Sequence, residues 1–347
     1  MSKSTEIVVC QDAEAVLWDG YVERSPRATI AHKFSWRSII SRTYGHRPFY
    51  LMACSGRTVR GILPLFLVES AWFGTSLTSM PFLDYGGVCS DDAETGEALV
   101  RYALALRRNY AAGCLELRHV HALPGEGGVR VDKVSLVLDI SPGADAVWQA
   151  LQAKVRNQVR KAQKEGLTFA YGSGELLDEF YSVFLVNMHD LGSPVHDRRF
   201  FANILADFGH EVLVMVVRDH GRPIGGAVCL LFRDIMHVPW ASSLRESFTK
   251  CPNNLLYWEA INYACEHGYR WFDFGRSSVG SGTYHFKGQW GAEPRQLHWQ
   301  ILGGNGSASS ARSPADPRYR PAVALWKRLP LPVTKWVGPR IRKYLTN

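Results

Sequence analysis

Cysteine pairs with metal-binding or redox spacing are missing from this chain of 347 residues. Its seven cysteines form no CxxC pair and no Cys/His cluster with the spacing of a zinc site. An odd number of scattered cysteines also argues against the disulfide framework of a secreted domain. We therefore predict free thiols, no metal site and a reducing, cytoplasmic environment.

Long apolar segments are also missing. The first twenty residues include Lys3, Glu6 and Asp12 and have neither the basic start nor the apolar core of a signal peptide. The most apolar stretch, residues 61–74, is interrupted by Glu69 and is too short to span a bilayer. We expect a cytoplasmic protein that is at most peripheral at the inner face of the membrane.

The common nucleotide-binding and hydrolase motifs are absent as well. The sequence contains no GxxxxGK[ST] phosphate-binding loop and no GxSxG nucleophile elbow. Residues 172–174, Gly-Ser-Gly, do not continue into a dinucleotide-binding fingerprint. These absences disfavour a kinase, a dehydrogenase or an α/β-hydrolase.

Acidic residues are scarce at the C-terminal end. Residues 312–347 contain nine basic residues and one acidic residue, Asp316, and this surplus of eight equals the net charge of the whole chain, +8. Trp326 and Trp336 lie among these cations, a mixture typical of segments that bind anionic membranes. Packing of the aromatic residues on the second domain is an equally good interpretation. Four prolines exclude one long helix; they are Pro321, Pro330, Pro332 and Pro339.

Two short segments resemble each other along the chain. Residues 55–66 align without a gap to residues 220–231, with Gly56 on Gly221, and each predicts a hairpin. Each is followed by a predicted helix and a short apolar strand with a carboxylate; these are 98–111 with 115–118, and 255–266 with 271–276.

The repeat predicts an α/β (α+β) protein with two similarly folded domains, each a mixed twisted sheet flanked by helices. We place the first domain at residues 1–140, the second at 141–302 and a basic tail at 303–347. The Pro142-Gly143 pair marks the boundary between the two domains.

Two helices are predicted between the repeats. Residues 146–165 predict a single helix with Arg156, Arg160 and Lys164 on one face. Such cations are typical of a solvated face, and a phosphate-binding track is the alternative. Residues 175–191 carry a continuous apolar stripe and predict a core helix that ends at Gly192.

The stretch from residue 271 to residue 294 has the highest density of polar groups after a predicted strand. The strand contains Asp273 and leads into a loop in which Gly275, Gly280 and Gly282 permit unusual backbone angles. Any one of these polar residues could be an ordinary ion pair or a solvated charge, but their concentration indicates a site. The candidate side chains are those of Asp273, Arg276, Ser277, Tyr284, His285 and Lys287.

The run from Phe272 to Pro294 resembles the FemAB family, in particular the exopolysaccharide-locus branch associated with exosortase and PEP-CTERM systems. Ser277-Ser278 departs from the Ser-Lys often found in that branch. The resemblance implies two tandem GNAT acyltransferase domains, the second similar to a BioF2-like acetyltransferase domain, and transfer of an acyl or aminoacyl group to an amine. Further matching segments are residues 79–88, 116–119, 154–161 and 187–194.

The acyl donor stays open. Ordinary GNAT enzymes bind the pyrophosphate of CoA on a glycine-rich turn before a helix. The corresponding segment here, Ser243–Asn254, contains Arg245 but no glycine. This departure resembles bridge-forming FemAB enzymes, whose donor is aminoacyl-tRNA, although a helix beginning at Pro252 could still offer N–H groups to a phosphate. We expect no permanently bound cofactor and either acyl-CoA or aminoacyl-tRNA as donor.

Acyl transfer to an amine requires a proton acceptor and groups that stabilise an oxyanion. Asp273 is the first candidate for the base or amine-orienting group, and His285 is the second. Lys287, with Arg276, would neutralise an oxyanion or an acceptor diphosphate. The predicted substrate-binding residues are Arg276, Ser277, Tyr284, Trp240 and Arg245, together with Asp84 and Tyr85, which are predicted to line a groove between the domains or to form a plain turn.

We expect an N-acyltransferase of envelope or exopolysaccharide assembly. Its acceptor would carry an amine and could be linked to a lipid. An acetyl-CoA-dependent GNAT N-acetyltransferase of a small or sugar amine is one alternative. A non-catalytic binding module of a polysaccharide assembly complex is another, and it would tolerate loss of Asp273.

Overall fold

A computed structural model describes residues 5–71, 73–123, 128–303 and 319–346. Contacts between Cα atoms divide the chain into two compact units. The first comprises the described residues within 1–132, 296–318 and 341–347, and the second those within 133–295 and 319–340. No helix of the described ranges is long and apolar enough to cross a membrane.

The first unit is built on a mixed sheet flanked by helices. Its strand order is β1-β2-β3-β4-β6-β15-β7, with β5 paired to β3. The described strands are β1 Glu6–Cys10, β2 Arg47–Ser55, β3 Thr58–Ser70, β4 Gly74–Ser79, β5 Cys89–Ser90, β6 Cys114–His119, β7 Gly128–Arg130 and β15 His298–Leu302, and the helices are α1 Ala15–Arg24, α2 Ser35–Tyr44 and α3 Ala93–Asn109.

The second unit contains a second mixed sheet, of order β14-β8-β13-β12-β11-β10-β9. Helices cover both of its faces, and its buried core combines residues of the sheet with Val155 of α5 and Tyr257 of α8. The strands are β8 Lys133–Asp139, β9 Thr168–Gly172, β10 Val212–Asp219, β11 Arg222–Phe232, β12 Ile235–Ser243, β13 Trp271–Ser278 and β14 Glu293–Gln296, and the helices are α4 Ala144–Ala150, α5 Ala153–Lys164, α6 Leu177–Leu191, α7 Arg198–Phe208, α8 Pro252–Glu266, α9 Gly282–Gly288, α10 Arg320–Trp326 and α11 Leu331–Arg342.

The two predicted hairpins are confirmed. They are β2–β3 and β10–β11, both antiparallel. Gly56 and Gly221 sit at their turns with φ of +60° and +81°, in the left-handed region that glycine adopts without strain. The helices and strands predicted after each hairpin are also present, as α3 with β6 and α8 with β13.

The single helix predicted over residues 146–165 is wrong, because the segment forms two helices, α4 and α5. Leu151 and Gln152 between them are extended, and Leu151 is buried in the core. The guanidinium of Arg156 donates to the carbonyls of Gln149, at 2.9 Å, and of Leu151, which satisfies the free carbonyl end of α4. The break thus depends on a tertiary contact and on core burial rather than on proline or glycine.

Two strands pair outside the predicted domain ranges. The strand β8 lies before residue 140 but pairs with β13 of the second sheet. The strand β15 lies within residues 141–302, the range predicted for the second domain, but pairs with β6 of the first sheet. Each sheet therefore contains a strand from the sequence range assigned to the other domain.

The described part of the basic tail forms two helices, α10 and α11, separated by residues 327–330. Pro321 lies in the first turn of α10, where its missing N–H costs nothing. Trp326 and Thr334 are buried, whereas Trp336 is 64% exposed. Arg312 and Arg318 lie outside the described residues.

Candidate active site

The sheet of the second unit opens between two parallel strands. The strands β12 and β13 pair in parallel only as far as His237 and Asp273. Beyond that point β12 continues beside β11 to Ser243, while β13 continues beside β8. The two strands therefore diverge, and their edges leave a split in the sheet that begins at Asp273.

A bulge in β13 marks the start of this split. The pairing of β13 with β8 shifts register between Asp273 and Arg276. Gly275, within the bulge, has a φ of +75°, which a residue with a Cβ adopts only under strain. This is the physical reason for glycine in the Asp-Phe-Gly-Arg sequence.

Asp273 is buried, and its carboxylate holds the bulge in place. Its Oδ1 accepts a hydrogen bond from the backbone N–H of Gly275 at 2.8 Å and another from the hydroxyl of Ser135 on β8. A buried carboxylate is stable when donors of this kind satisfy it. Asp273 therefore has a structural function at the split, whatever its part in catalysis.

Lys287 meets the same bulge from α9. Its Nζ donates to the carbonyl of Gly275 at 2.9 Å and to that of Arg276 at 3.1 Å. The residue is only 8% exposed, so the ammonium is buried at the bulge. Gly275 lies in the bulge, outside the paired register of β13 and β8, and a buried ammonium is well suited to satisfy its carbonyl.

The remaining predicted residues of this stretch surround the bulge at different depths. Ser277 is buried on β13, while Arg276 is half-buried. Tyr284 is half-buried against the core, and its ring meets His285 edge-on at 5.5 Å. His285 itself is exposed on α9. The structure thus brings Asp273, Arg276 and Lys287 together at Gly275 and leaves His285 on the outside of the helix.

His237 was not predicted and is adjacent to the site. It is 3% exposed and is the register partner of Asp273 across the parallel pair. Paired residues on adjacent strands point to the same face of a sheet. A lone histidine within an apolar strand gives no sequence signal, so only the strand pairing could reveal this neighbour.

Polar side chains also collect where β12 ends beside α8. The hydroxyl of Ser243 donates to Oδ1 of Asn253 at 2.7 Å, and Asn254 donates to Gln158 at 3.2 Å. The helix α8 begins with Pro252, a residue common at this position. Its first turn lies next to the split, because Asn253 contacts the end of β12 at Ser243. Arg245, predicted to bind substrate, is exposed in the short 3-10 helix Arg245–Lys250.

Trp240, another predicted substrate-binding residue, packs in an aromatic cluster. It is 7% exposed, and its ring lies edge-on to Phe200 at 5.5 Å and to Phe201 at 5.4 Å. His196 meets the same ring at 6.4 Å. These contacts assign Trp240 a packing role between β12 and α7.

Asp84 and Tyr85 belong to the first unit, where both are buried. The carbonyl of Asp84 accepts a hydrogen bond from the indole of Trp299 at 3.2 Å. The prediction that these two residues line a groove between the domains stays a prediction.

The first sheet has a comparable parallel pair, β4 and β6, which pairs only as far as Thr78 and Glu116. The fully buried guanidinium of Arg118 lies just beyond this point and donates to the carbonyls of Leu83 and Thr346, both at 2.8 Å, and to Glu116. In the first sheet, the buried guanidinium beside the parallel pair is thus occupied by partners within the protein. In the second sheet, the bulge at Gly275 lies at the corresponding point.

A family model for the acetyltransferase (GNAT) domain matches residues 149–288. This range includes β12 and β13, which border the split, and the helices α8 and α9. A search of curated proteins finds no match.

Several solved structures share the fold over most of the chain. FemX is 15% identical, covers 86% of this chain and 97% of its own, and has a TM-score of 0.65. The C-terminal domain of a putative lysylphosphatidylglycerol synthetase from Agrobacterium fabrum is 13% identical, with 87% and 96% coverage and a TM-score of 0.58. A tandem GNAT protein from the clavulanic acid biosynthesis pathway is 15% identical, with 86% and 98% coverage and a TM-score of 0.56.

These findings confirm the predicted fold of two GNAT-like domains, each a mixed sheet flanked by helices. They also support the predicted similarity to FemAB-type proteins, without selecting the exopolysaccharide branch. The protein is an acyltransferase with a GNAT domain in its second half.

Proposed function

We propose that the chain is an N-acyltransferase that works at the split of the second unit. The observation that carries this proposal is the position of the bulge at Gly275, inside the range that matches the acetyltransferase model and where β12 and β13 separate. A gap between two strands admits an extended acyl chain between their exposed N–H and C=O groups. Asp273 and Lys287 fix the shape of that gap.

The reaction joins an amine to the acyl carbonyl and releases the thiol or tRNA hydroxyl. The amine must lose a proton, and the tetrahedral intermediate carries a negative oxygen that needs donors. Asp273 is our candidate to orient the amine and accept its proton. His237, its register neighbour, is the nearest imidazole along the paired strands to pass that proton on. Lys287 acts indirectly, by holding the carbonyls of Gly275 and Arg276.

The donor is either acyl-CoA or aminoacyl-tRNA. The acetyltransferase match favours acyl-CoA, and the N-terminal end of α8, next to Ser243 and Asn253, carries the partial positive charge of the helix dipole, which suits a phosphate. The glycine-free segment Ser243–Asn254, which resembles that of bridge-forming FemAB enzymes, supports the aminoacyl-tRNA alternative.

The acceptor is an amine of envelope or exopolysaccharide assembly, carried on a lipid in our proposal. The supporting observation is a surface formed by α10 and α11, where Leu325, Val333 and Trp336 are 63%, 41% and 64% exposed. Exposed cations lie in the same segment of the chain, namely Arg320, Lys327, Arg328, Lys335 and Arg340. Apolar side chains mixed with cations suit an anionic membrane. A lysylphosphatidylglycerol synthetase domain shares the fold.

The two donors can be separated in one experiment. Purified protein is incubated with labelled acetyl-CoA or with a labelled aminoacyl-tRNA mixture, in the presence of an amine-bearing lipid or sugar extract. We expect label to move to an acceptor from one donor only, and to do so far more slowly with Asp273→Asn. Absence of transfer from both donors, with the protein correctly folded, would contradict the proposed function.

A further inference from the structure

The first unit contains a cavity that the proposed reaction does not use. Its volume is about 330 Å³, within the range of about 300–1,000 Å³ typical of small-molecule sites. Its wall combines basic and apolar side chains, and no carboxylate occurs among the described residues that line it. The residues relevant here are Arg27, His32, Val88, His121, Ala122 and Leu123.

The buried imidazole of His32 forms a neutral part of this wall. The backbone N–H of Thr29 donates to its Nδ1 at 3.1 Å, so the ring proton lies on Nε2 and is donated to the carbonyl of Gly87 at 3.0 Å. Burial lowers the pKa of His32 to about 4. Both ring nitrogens are therefore occupied, and His32 offers the cavity an uncharged ring face.

Arg27 provides the positive charge of the wall, and His121 lines the same cavity. Arg27 is exposed, and its hydrogen bond to the carbonyl of Ser90 is long, at 3.4 Å, so the guanidinium retains donors for another partner. Burial, followed by the nearby positive charges of Arg27 and His298, lowers the pKa of His121. His121 is therefore neutral near pH 7 and offers the cavity a ring N–H donor.

We propose that this cavity binds a small organic anion, in which a phosphate or carboxylate is joined to an apolar or ring-shaped body. Arg27 and His121 hold the anionic group, since a guanidinium can donate two parallel hydrogen bonds to it. Val88, Leu123 and the ring of His32 pack against the body of the ligand. The proposal concerns the first unit alone and does not depend on acyl transfer.

Calorimetric titration of the full-length chain tests this site with four probes. Phenyl phosphate and benzoate carry both a ring and an anion, inorganic phosphate has only the anion, and phenol has only the ring. We expect phenyl phosphate or benzoate to bind at least about tenfold more tightly than inorganic phosphate or phenol. Only the ring anions contact both the polar and the apolar side chains of the cavity. The two ring anions distinguish a phosphate site from a carboxylate site.

Two variants and a control locate the binding. Arg27→Gln removes the cation and should weaken binding at least about tenfold, and Ala122→Phe fills the cavity from an exposed position. Arg101→Gln removes an equal charge from a helix surface outside the cavity, where Arg101 pairs with Glu97, and should leave binding unchanged. Equal affinity in the unmodified chain and Ala122→Phe, no saturable binding, or equal affinity for phenyl phosphate and inorganic phosphate would overturn the proposal.

Discussion

At the scale of single residues, Asp273 combines two functions that one substitution can separate. In Asp273→Asn, the amide oxygen can still accept from Gly275 and Ser135, so the fold should persist. Loss of a positioned base should lower turnover by about 10²–10⁴-fold. Single-turnover rates and melting temperature are measured on the same sample. A variant that is stable and fully active would remove Asp273 from the mechanism, and one that is unstable but fully active per folded molecule would leave it a purely structural role.

Lys287 should matter for stability as well as for activity. Lys287→Ala removes the donor to the buried carbonyl of Gly275 and to the part-buried carbonyl of Arg276. Loss of the partner of a buried polar group costs about 1–3 kcal/mol, so the free energy of unfolding should fall by about that much. Urea denaturation measures it. Lys161→Ala, which removes an exposed lysine of α5, is the matched control and should change stability by less than about 0.5 kcal/mol. Equal effects would contradict our account of the bulge.

At the scale of secondary structure elements, α11 should contribute to membrane binding through Trp336. Trp336→Ala should reduce cosedimentation with vesicles containing anionic lipid, because the exposed indole no longer inserts at the interface. Added salt should reduce binding too, since each cation near the surface contributes about 1 kcal/mol. Phe248→Ala removes another exposed aromatic residue, 49% exposed in the second unit, and should bind like the unmodified chain. Binding insensitive to both Trp336→Ala and salt would contradict the proposal.

Elements with a local sequence signal were predictable, and elements that depend on distant contacts were not. The hairpins followed from the glycine turns at Gly56 and Gly221 in the two aligned segments, because turn geometry is a local property. The interruption of the helix at Leu151 depends on Arg156 and on core burial, which the periodicity of the sequence does not reveal.

The candidate site could likewise be predicted only in part from the sequence. Asp273 could be selected from its strand, but Ser135, which lies 138 residues away, and His237 became neighbours only through sheet pairing.

At the scale of the whole molecule, three buried histidines predict sensitivity to mild acid. Burial lowers the pKa of His32, His46 and His119 to about 4, whereas an unfolded histidine titrates near 6.5. Between these values the unfolded chain binds more protons, so stability is greatest above about pH 6.5 and falls as the pH drops towards about 4. Each histidine accounts for roughly 3 kcal/mol at the lower end.

Urea denaturation between pH 7 and pH 4 measures this loss. In His46→Gln, the new amide can still donate to the carbonyl of Lys343, which His46 contacts at 2.7 Å, and the fall in stability should be less steep. His220→Gln changes a histidine whose side chain is 89% exposed and should leave the profile unchanged. A stability that does not change over this range would show that the three imidazoles are accessible to protons in the folded state.

The distribution of the first unit along the chain has a consequence for its synthesis. The strand β15 joins β6, and the carbonyl of Thr346 accepts hydrogen bonds from Phe82 and Arg118. A ribosome must therefore translate residues 133–295 of the second unit before the first sheet receives β15, and residues 319–340 as well before Arg118 receives its last partner. N-terminal domains often fold first as they emerge, but this one completes its sheet only after β15 has been made, and until then one edge of β6 has no strand to pair with.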